Sequence, residues 1–419
     1  MLVIDVLLLF FLVNGFYIYP PLNSSLIVPF LVVFLAFFSR GVLLNEFSSI
    51  IKNRYLTRIV SAIIFLFSTS LLIPILHQTY DFSYAVDFIS QSIQLVCISS
   101  FACLMLYHAS IIGVKPSEYV EILIIKIFLL QSFIQIFAFV FSDFADFVHI
   151  FYKPEVVEYM YERYGGGVRG LALTGSPGWG LAVGYGLAFL FFFKHELIGK
   201  VIGVSFCIKL FLLILGAFFS GRSAFVGLLL AIAFYIFSKD TFLKKIGNLF
   251  KAIILATLIT TMAWVLFPTF IEQLVLKVFP FVFEFYFNYQ NHGELSTNST
   301  DVLINMWQIN IPDLTYIFGD GFFTDKYTGL YYKNTDVGYL RNILFGGFFW
   351  TACMIGYQFL LQGLNSYSFE KHTRYFLFTL FIFTLFLEFK AMTLGYNKYM
   401  FTIIVLYVLS LSYDEKRIN

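Results

Sequence analysis

Charged residues are scarce in this chain, and their scarcity excludes several classes of protein. Asp, Glu, Lys and Arg make up only 12% of the 419 residues, about half the roughly 25% that is usual in a soluble domain. Apolar residues make up 59%, and the mean hydropathy is +0.83. A soluble enzyme and a disordered protein are therefore excluded. The net charge of +2 does not indicate a nucleic-acid partner.

Cysteine and histidine are also few. The four cysteines lie inside apolar runs and form no close pair, which excludes a disulfide-stapled secreted domain. The six histidines show no metal-ligand spacing, and the chain has no Asp-x-Asp pair that could clamp a metal–diphosphate complex. We therefore predict that the protein uses no metal and no cofactor.

What the chain has in abundance is long apolar runs, and these predict an all-α membrane protein. A membrane-spanning helix needs roughly 20 apolar residues. The runs predict about 12 transmembrane helices in one transmembrane domain over residues 1–419. They fall at 2–18, 24–39, 58–76, 88–112, 119–141, 171–193, 200–219, 223–238, 252–268, 338–361, 374–388 and 398–413.

The distribution of Lys and Arg predicts the sidedness of these spans. Short connections rich in these residues face the cytoplasm, and the densest group is Lys239, Lys244, Lys245 and Lys251. All such connections share one side if both termini are cytoplasmic. Two long connections, 142–170 and 269–337, then face outward as large periplasmic loops. Any chemistry is expected on that face, where an energy-rich donor arrives preassembled on a lipid.

The second long loop contains a predicted short helix on the outer membrane surface. Its apolar stripe has helical spacing, and the three polar residues before the stripe can cap its N-terminus. The stripe is Val302, Leu303, Met306 and Trp307, and the polar residues are Asn298, Ser299 and Thr300.

Two arginines stand at breaks between apolar runs. Arg169 is followed by a glycine- and proline-rich stretch that ends at Gly180, and Arg222 lies in the tight turn Ser220–Ser223. Backbone N–H groups freed by such breaks and a permanently charged guanidinium both suit a phosphate. The alternative is that each arginine only anchors its helix at the membrane interface.

A third group of polar residues lies at the end of the second loop. Gly319, Asp320 and Gly321 come first, and Asp336 follows where the chain re-enters the membrane. A carboxylate held there would be partly desolvated, which suits a general base. The alternative is that Asp336 caps the following helix. Arg341 lies about one and a half helical turns further on and could face the same cavity.

Some polar residues leave other functions open. Lys209 lies inside the run 200–219 with no partner nearby in the sequence, and a buried lysine of this kind is expected in a transporter. Tyr331 and Tyr332 lie in the outer loop, where their rings could stack on sugars.

Together these motifs resemble the O-antigen polymerase and O-antigen ligase superfamily of bacterial glycan assembly. The resemblance covers roughly residues 165–360. It rests on Arg169 to Gly180, Ser220–Ser223, Phe318–Gly321, Asp336–Tyr339 and the pair Gly346 and Gly347, in this order. It implies a helical membrane glycosyltransferase of the GT-C type in the bacterial inner membrane. A histidine near Asp336 is typical of ligases, and none lies between His292 and His372, which favours a polymerase.

The resemblance also implies roles for residues and partners. The substrates are repeat units on undecaprenyl diphosphate, and membrane lipids and a chain-length-determining co-polymerase are further partners. Arg169, Arg222 and Arg341 would hold the diphosphate, and Asp336 would orient or deprotonate the acceptor hydroxyl. Further substrate-binding positions are Gly180, Gly319, Gly321 and Tyr339. A ligase and a lipid-linked oligosaccharide flippase or transporter remain the alternatives.

Overall fold

The computed structural model is mostly helical. It describes residues 1–19, 22–38, 42–153, 155–158, 170–198, 200, 202–238, 241–293, 296–366 and 369–418. Helices account for 77% of the structure. The strands found in the described residues form a two-stranded antiparallel hairpin, in which Tyr17–Tyr19 pairs with Leu22–Asn23 and Tyr17 faces Asn23.

The helices follow one another with short connections in the first part of the chain. They are α1 (Leu2–Asn14), α2 (Ser24–Phe38), α3 (Val42–Ile51), α4 (Arg54–Leu76), α5 (Ser83–Ile112), α6 (Pro116–Val140) and α7 (Ser142–His149). The middle part contains α8 (Trp179–Glu196), α9 (Val204–Ser220), α10 (Ala224–Ile236), α11 (Phe242–Leu266), α12 (Pro268–Gln273), a π-helical turn (Leu274–Val278), α13 (Phe279–Val282) and α14 (Glu284–His292). The last part contains α15 (Asn298–Trp307), α16 (Asp313–Phe318), a 3-10 turn (Tyr332–Asn334), α17 (Gly338–Leu361), α18 (Lys371–Glu388) and α19 (Lys398–Ile418).

Apolar helices dominate this order, as expected for a helical membrane protein. Among the described residues, five helices are long and apolar enough to cross a membrane: Arg54–Leu76, Ser83–Ile112, Pro116–Val140, Leu243–Leu266 and Gly338–Leu361. Each of the 12 predicted apolar runs overlaps a helix, but several of these helices are short. At 1.5 Å per residue, the 13 residues of α1 or α10 extend only about 20 Å. The number of membrane crossings therefore stays a prediction.

The chain groups into two compact units. The first consists of Met1–Leu31 and His108–Leu295. Within it the backbones of α8 and α10 lie close together at two glycines, since a Cβ atom on Gly227 would lie 2.3 Å from the Cα atom of Gly186. Small residues of this kind let apolar helices pack backbone against backbone.

The second unit consists of Val32–Tyr107 and Ser296–Asn419, and its central feature is a break in α17. Gly346 and Gly347 leave helical geometry, and Gly347 has a φ of 68°. The carbonyl groups before the break accept hydrogen bonds from outside the helix. Asp320 N–H donates to Leu344 O at 2.6 Å, and Gly321 N–H donates to Phe345 O at 3.0 Å. The loop that follows α16 is therefore fixed to the broken helix.

The short helix α15 begins one residue away from the predicted capping group. Its N-cap is Thr297, whose hydroxyl oxygen accepts a hydrogen bond from Thr300 N–H at 3.1 Å. Leu303 and Met306 of the predicted stripe pack on an apolar cluster that includes Leu340 at the start of α17. This packing places α15 beside the N-terminal end of α17.

We expect Gly347→Ala to destabilise the protein. Its Cβ atom would lie 2.2 Å from Ile317 O, and the positive φ is unfavourable for alanine. Residues forced into this region cost about 1–3 kcal/mol. The unfolding midpoint of the purified protein should fall by several degrees.

Gly356→Ala in the same helix is the matched control. No atom lies within 4 Å of a Cβ placed there. Its unfolding midpoint should be no lower than that of the wild type, because alanine favours a helix more than glycine does. An equal loss in both variants would contradict the close approach of Gly347 to Ile317.

Candidate functional site

Arg341, in the first turn of α17, lies between two aromatic rings. Its Cζ atom is 3.9 Å from the ring centroid of Phe323 and 3.6 Å from that of Tyr331. Both distances fall within the range of cation–π attraction, which is stronger where water is excluded. The residue is only 4% exposed. The loop that carries both rings thus covers the guanidinium.

The guanidinium of Arg341 keeps unused hydrogen-bonding capacity despite this burial. Its Nε and Nη2 atoms are buried and have no hydrogen-bond partner among the described residues. Nor does Arg341 form an ion pair with any described carboxylate. Buried donors are normally satisfied, because an unmade bond costs about 1–3 kcal/mol, and more for a charged group. An oxygen-rich anionic ligand would satisfy them.

Acidic residues from two other helices surround this arginine. Asp87 of α5 and Glu388 of α18 both interact with its charge, and Lys398 of α19 interacts with Asp87. Since neither acid forms an ion pair with Arg341, the positive and negative groups are near one another but separate. The site therefore offers cationic donors and anionic acceptors side by side.

Both carboxylate oxygens of Glu388 accept hydrogen bonds within the fold. It is fully buried, and its Oε1 atom accepts a hydrogen bond from Asn342 Nδ2 at 2.9 Å. Its Oε2 atom accepts from the backbone N–H groups of Thr393 at 2.5 Å and Leu394 at 2.8 Å. Glu388 therefore ties the connection between α18 and α19 to the first turn of α17, and we assign it a structural role.

Tyr84 joins α5 to the same turn of α17. Its hydroxyl donates to Asn342 Oδ1 at 2.8 Å, and its ring stacks on Phe323 at a centroid distance of 4.3 Å. Residues three apart in a helix share a face. Asp87 is therefore on the same face of α5 as Tyr84, the face that contacts Asn342 and Phe323.

The loop that covers Arg341 is itself held by two acids. Asp81 Oδ2 accepts hydrogen bonds from the backbone N–H groups of Phe323 and Thr324, both at 2.7 Å. Asp320 accepts from the hydroxyl of Tyr332 at 3.2 Å and pairs with Lys333 at 3.4 Å. Burial and the nearby Asp320 carboxylate raise the pKa of Tyr332 to about 12. Its hydroxyl therefore stays protonated and keeps donating at neutral pH.

The predicted site residues of the first unit have other surroundings than Arg341. Arg222 lies in the turn between α9 and α10, where Gly221 has a φ of 151°. Its Nη1 atom pairs with Glu284 Oε2 at 3.0 Å, and its Cζ atom is 5.3 Å from the Phe281 ring. Gly180 is buried in the first turn of α8. Arg169 lies outside the described residues.

Asp336 is not in the environment that the sequence predicts. Its side chain is exposed rather than partly desolvated, and it has no hydrogen-bond or ion-pair partner among the described residues. Its backbone N–H contacts the sulfur of Met306 at 3.5 Å. The N-cap of α17 is Val337 without a side-chain cap, so Asp336 does not cap that helix either.

The remaining predicted positions have structural contacts. Gly319 lies against the broken part of α17, where a Cβ atom would lie 2.5 Å from Gly346 N. Gly321 is hydrogen-bonded to the same helix through its backbone N–H. Tyr339 donates its hydroxyl to Leu385 O at 3.2 Å. Lys209, which the sequence leaves without a partner, pairs with Glu196 at 2.7 Å.

Sequence reasoning missed two of the acids near Arg341. Glu388 ends the apolar run 374–388, and an acid inside such a run is a signal of function or of a buried network. Asp87 stands at the start of the run 88–112 and was not distinguished from other acids of the outer connections. Neither acid belongs to a metal site, since the described residues contain no cluster of His, Cys, Asp and Glu that could hold a metal ion.

Comparison of the chain with models of protein families, with curated proteins and with solved structures finds no match in any of the three.

Glu388→Gln should destabilise the protein. The amide can replace only one of the two accepting oxygens, so at least one buried donor among Asn342, Thr393 and Leu394 loses its partner. We expect a loss of about 1–3 kcal/mol in unfolding free energy, measured by denaturation of the purified protein.

Glu370→Gln is the control for this change. Glu370 is exposed at the N-cap of α18 and makes no side-chain capping bond. Its replacement should leave stability unchanged. Equal stability of both variants would show that the Glu388 network does not hold these helices together.

Proposed function

We propose that the protein is a surface-polysaccharide polymerase of the O-antigen type in the bacterial inner membrane. It would cross the membrane about 12 times with a GT-C architecture and both termini in the cytoplasm. Its substrates would be oligosaccharide repeat units on undecaprenyl diphosphate, used at the periplasmic face for lipopolysaccharide biosynthesis. The motifs and their order in the sequence are the basis of this proposal.

The structural observation that supports it is the state of Arg341. A nine-tenths-buried guanidinium with two unpartnered nitrogens is a costly arrangement that a bound anion relieves. Aromatic rings, carboxylates and a cation at one place are also the groups that bind a sugar and its phosphate. The arginine lies between two of the motifs on which the polymerase resemblance rests, Asp336–Tyr339 and the pair Gly346 and Gly347.

In this reaction the growing chain moves from one lipid diphosphate to a hydroxyl of the next repeat unit. The acceptor oxygen forms a bond to the anomeric carbon of the donor sugar. The bond from that carbon to the diphosphate breaks, and the electron pair leaves with the undecaprenyl diphosphate. Arg341 would stabilise the negative charge that develops there, as preorganised cations do in many enzymes. Arg169 and Arg222 are proposed for the same task.

The ion pair of Arg222 with Glu284 has a consequence for this role. A diphosphate that binds Arg222 must share it with Glu284 or replace that carboxylate. Arg222 is therefore proposed as a phosphate ligand that exchanges partners, whereas Arg341 has no ion-pair partner among the described residues. A transporter is less well supported, because Lys209, its best candidate residue, already has an ion-pair partner.

The test is the lipopolysaccharide ladder of a deletion strain that carries the wild-type or a variant gene. The deletion should leave core with a single repeat. Arg341→Ala and Arg341→Lys should both fail to restore the ladder, because lysine lacks the planar fork that stacks between rings and binds two oxygens. Arg222→Ala should shorten or abolish it.

Arg374→Ala is the matched control. Arg374 is exposed near the start of α18, in a connection predicted to be cytoplasmic, and its loss should leave the ladder intact. Expression of each variant is measured in the same strains. An unchanged ladder in the deletion strain would refute the polymerase function, and a deletion that leaves no repeat on the core would indicate a ligase.

A further inference from the structure

The acids near Arg341 differ in whether they are available to a substrate. Both oxygens of Glu388 are occupied by hydrogen bonds within the fold. Asp81 and Asp320 are likewise engaged in holding the covering loop. Asp87 accepts no hydrogen bond from any described residue, and its side chain is only partly buried. Of the two acids that interact with Arg341, Asp87 alone has free oxygen atoms.

The position of Asp87 is fixed although its carboxylate is free. Tyr84, one turn earlier in α5, is bonded to Asn342 and stacked on Phe323. Phe323 in turn stacks on Arg341. This chain of contacts holds the start of α5 against the first turn of α17.

The separation of Asp87 from Arg341 is the informative feature. Opposite charges in a partly buried place gain energy by direct contact, yet these two form no ion pair. The aromatic rings on both faces of the guanidinium hold it in place. A ligand that contacts both side chains would accept hydrogen bonds from the arginine and donate one to the aspartate.

We infer that Asp87, rather than Asp336, is the carboxylate that activates the acceptor hydroxyl. This inference rests on the proposed polymerase function and names the residue that receives the proton. Asp87 takes the proton of the acceptor hydroxyl as its oxygen bonds to the anomeric carbon. Arg341 stabilises the diphosphate that leaves with the electron pair of the broken bond. The proton then passes from Asp87 to water, which restores the carboxylate.

The exposed position of Asp336 supports this assignment. A general base works within hydrogen-bonding distance of the proton that it removes. Asp336 precedes Arg341 by five residues, yet its side chain is exposed whereas Arg341 is buried. The two side chains therefore face different surroundings, and Asp336 is the matched control for Asp87.

The experiment uses the purified full-length protein and the undecaprenyl-diphosphate-linked repeat unit extracted from the deletion strain. Asp87→Asn keeps the shape of the side chain but cannot take a proton. We expect kcat to fall by roughly 10²–10⁴-fold, the usual contribution of general acid–base catalysis, while KM stays close to the wild-type value. Asp336→Asn should retain the wild-type kcat.

A second variant keeps the test valid if Asp87→Asn does not fold. Asp87→Glu retains the carboxylate and displaces it by about 1 Å, which should lower kcat by roughly 10²-fold without changing KM. The unfolding midpoint of each variant is measured beside its kinetics. If Asp87→Asn does not fold, the Asp87→Glu result decides.

The inference is overturned if folded Asp87→Asn, or Asp87→Glu in its place, turns over at the wild-type rate. It is also overturned if Asp336→Asn loses activity as completely as the Asp87 variant. Failure of the proposed function would look different, because the wild-type protein itself would then make no polymer from the extracted repeat unit.

Discussion

The cost of keeping a guanidinium in a place with little water determines how the second unit is organised. A buried charge must be compensated by hydrogen bonds, by opposite charge or by polarisable groups. In the part of the chain that the structure describes, Arg341 has only the last two: aromatic rings cover both faces, and the acids near it form no ion pair with it. The loop that supplies the rings must therefore be held firmly, and most of the polar contacts around it serve that purpose.

The glycines of the third motif hold the loop that covers Arg341 against α17. A helix that runs unbroken through residues 346–347 would use its own carbonyl groups internally. Because Gly346 and Gly347 interrupt α17, two carbonyl groups become acceptors for the loop after α16. The motif residues Gly319 and Gly321 lie so close to α17 that a side chain on Gly319 would overlap its backbone. A sequence signature that suggests substrate binding thus positions the rings that cover Arg341.

The sequence predicts the helices well because apolar runs and charge-free stretches are local properties. It also predicts α15, although Thr297 and not the following residues caps that helix. It could not predict which polar groups are satisfied, because their partners are distant in the chain. Tyr84 reaches Asn342 across 258 residues, and Glu388 reaches Asn342 across 46. Asp336 and Arg341 also differ in burial: Asp336 is exposed and Arg341 is buried, although the two are only five residues apart in the sequence.

The contrast between Arg222 and Arg341 shows what distinguishes a prepared site from a satisfied one. Arg222 contacts a carboxylate at 3.0 Å, whereas Arg341 contacts none among the described residues. Direct contact of opposite charges is worth about 4 kcal/mol at 4 Å in a medium of intermediate polarity. At Arg341 the two acids that act on its charge, Asp87 and Glu388, form no such contact. A bound anion would supply the guanidinium with opposite charge and hydrogen-bond acceptors, which is how a preorganised site favours the charge that develops in a reaction.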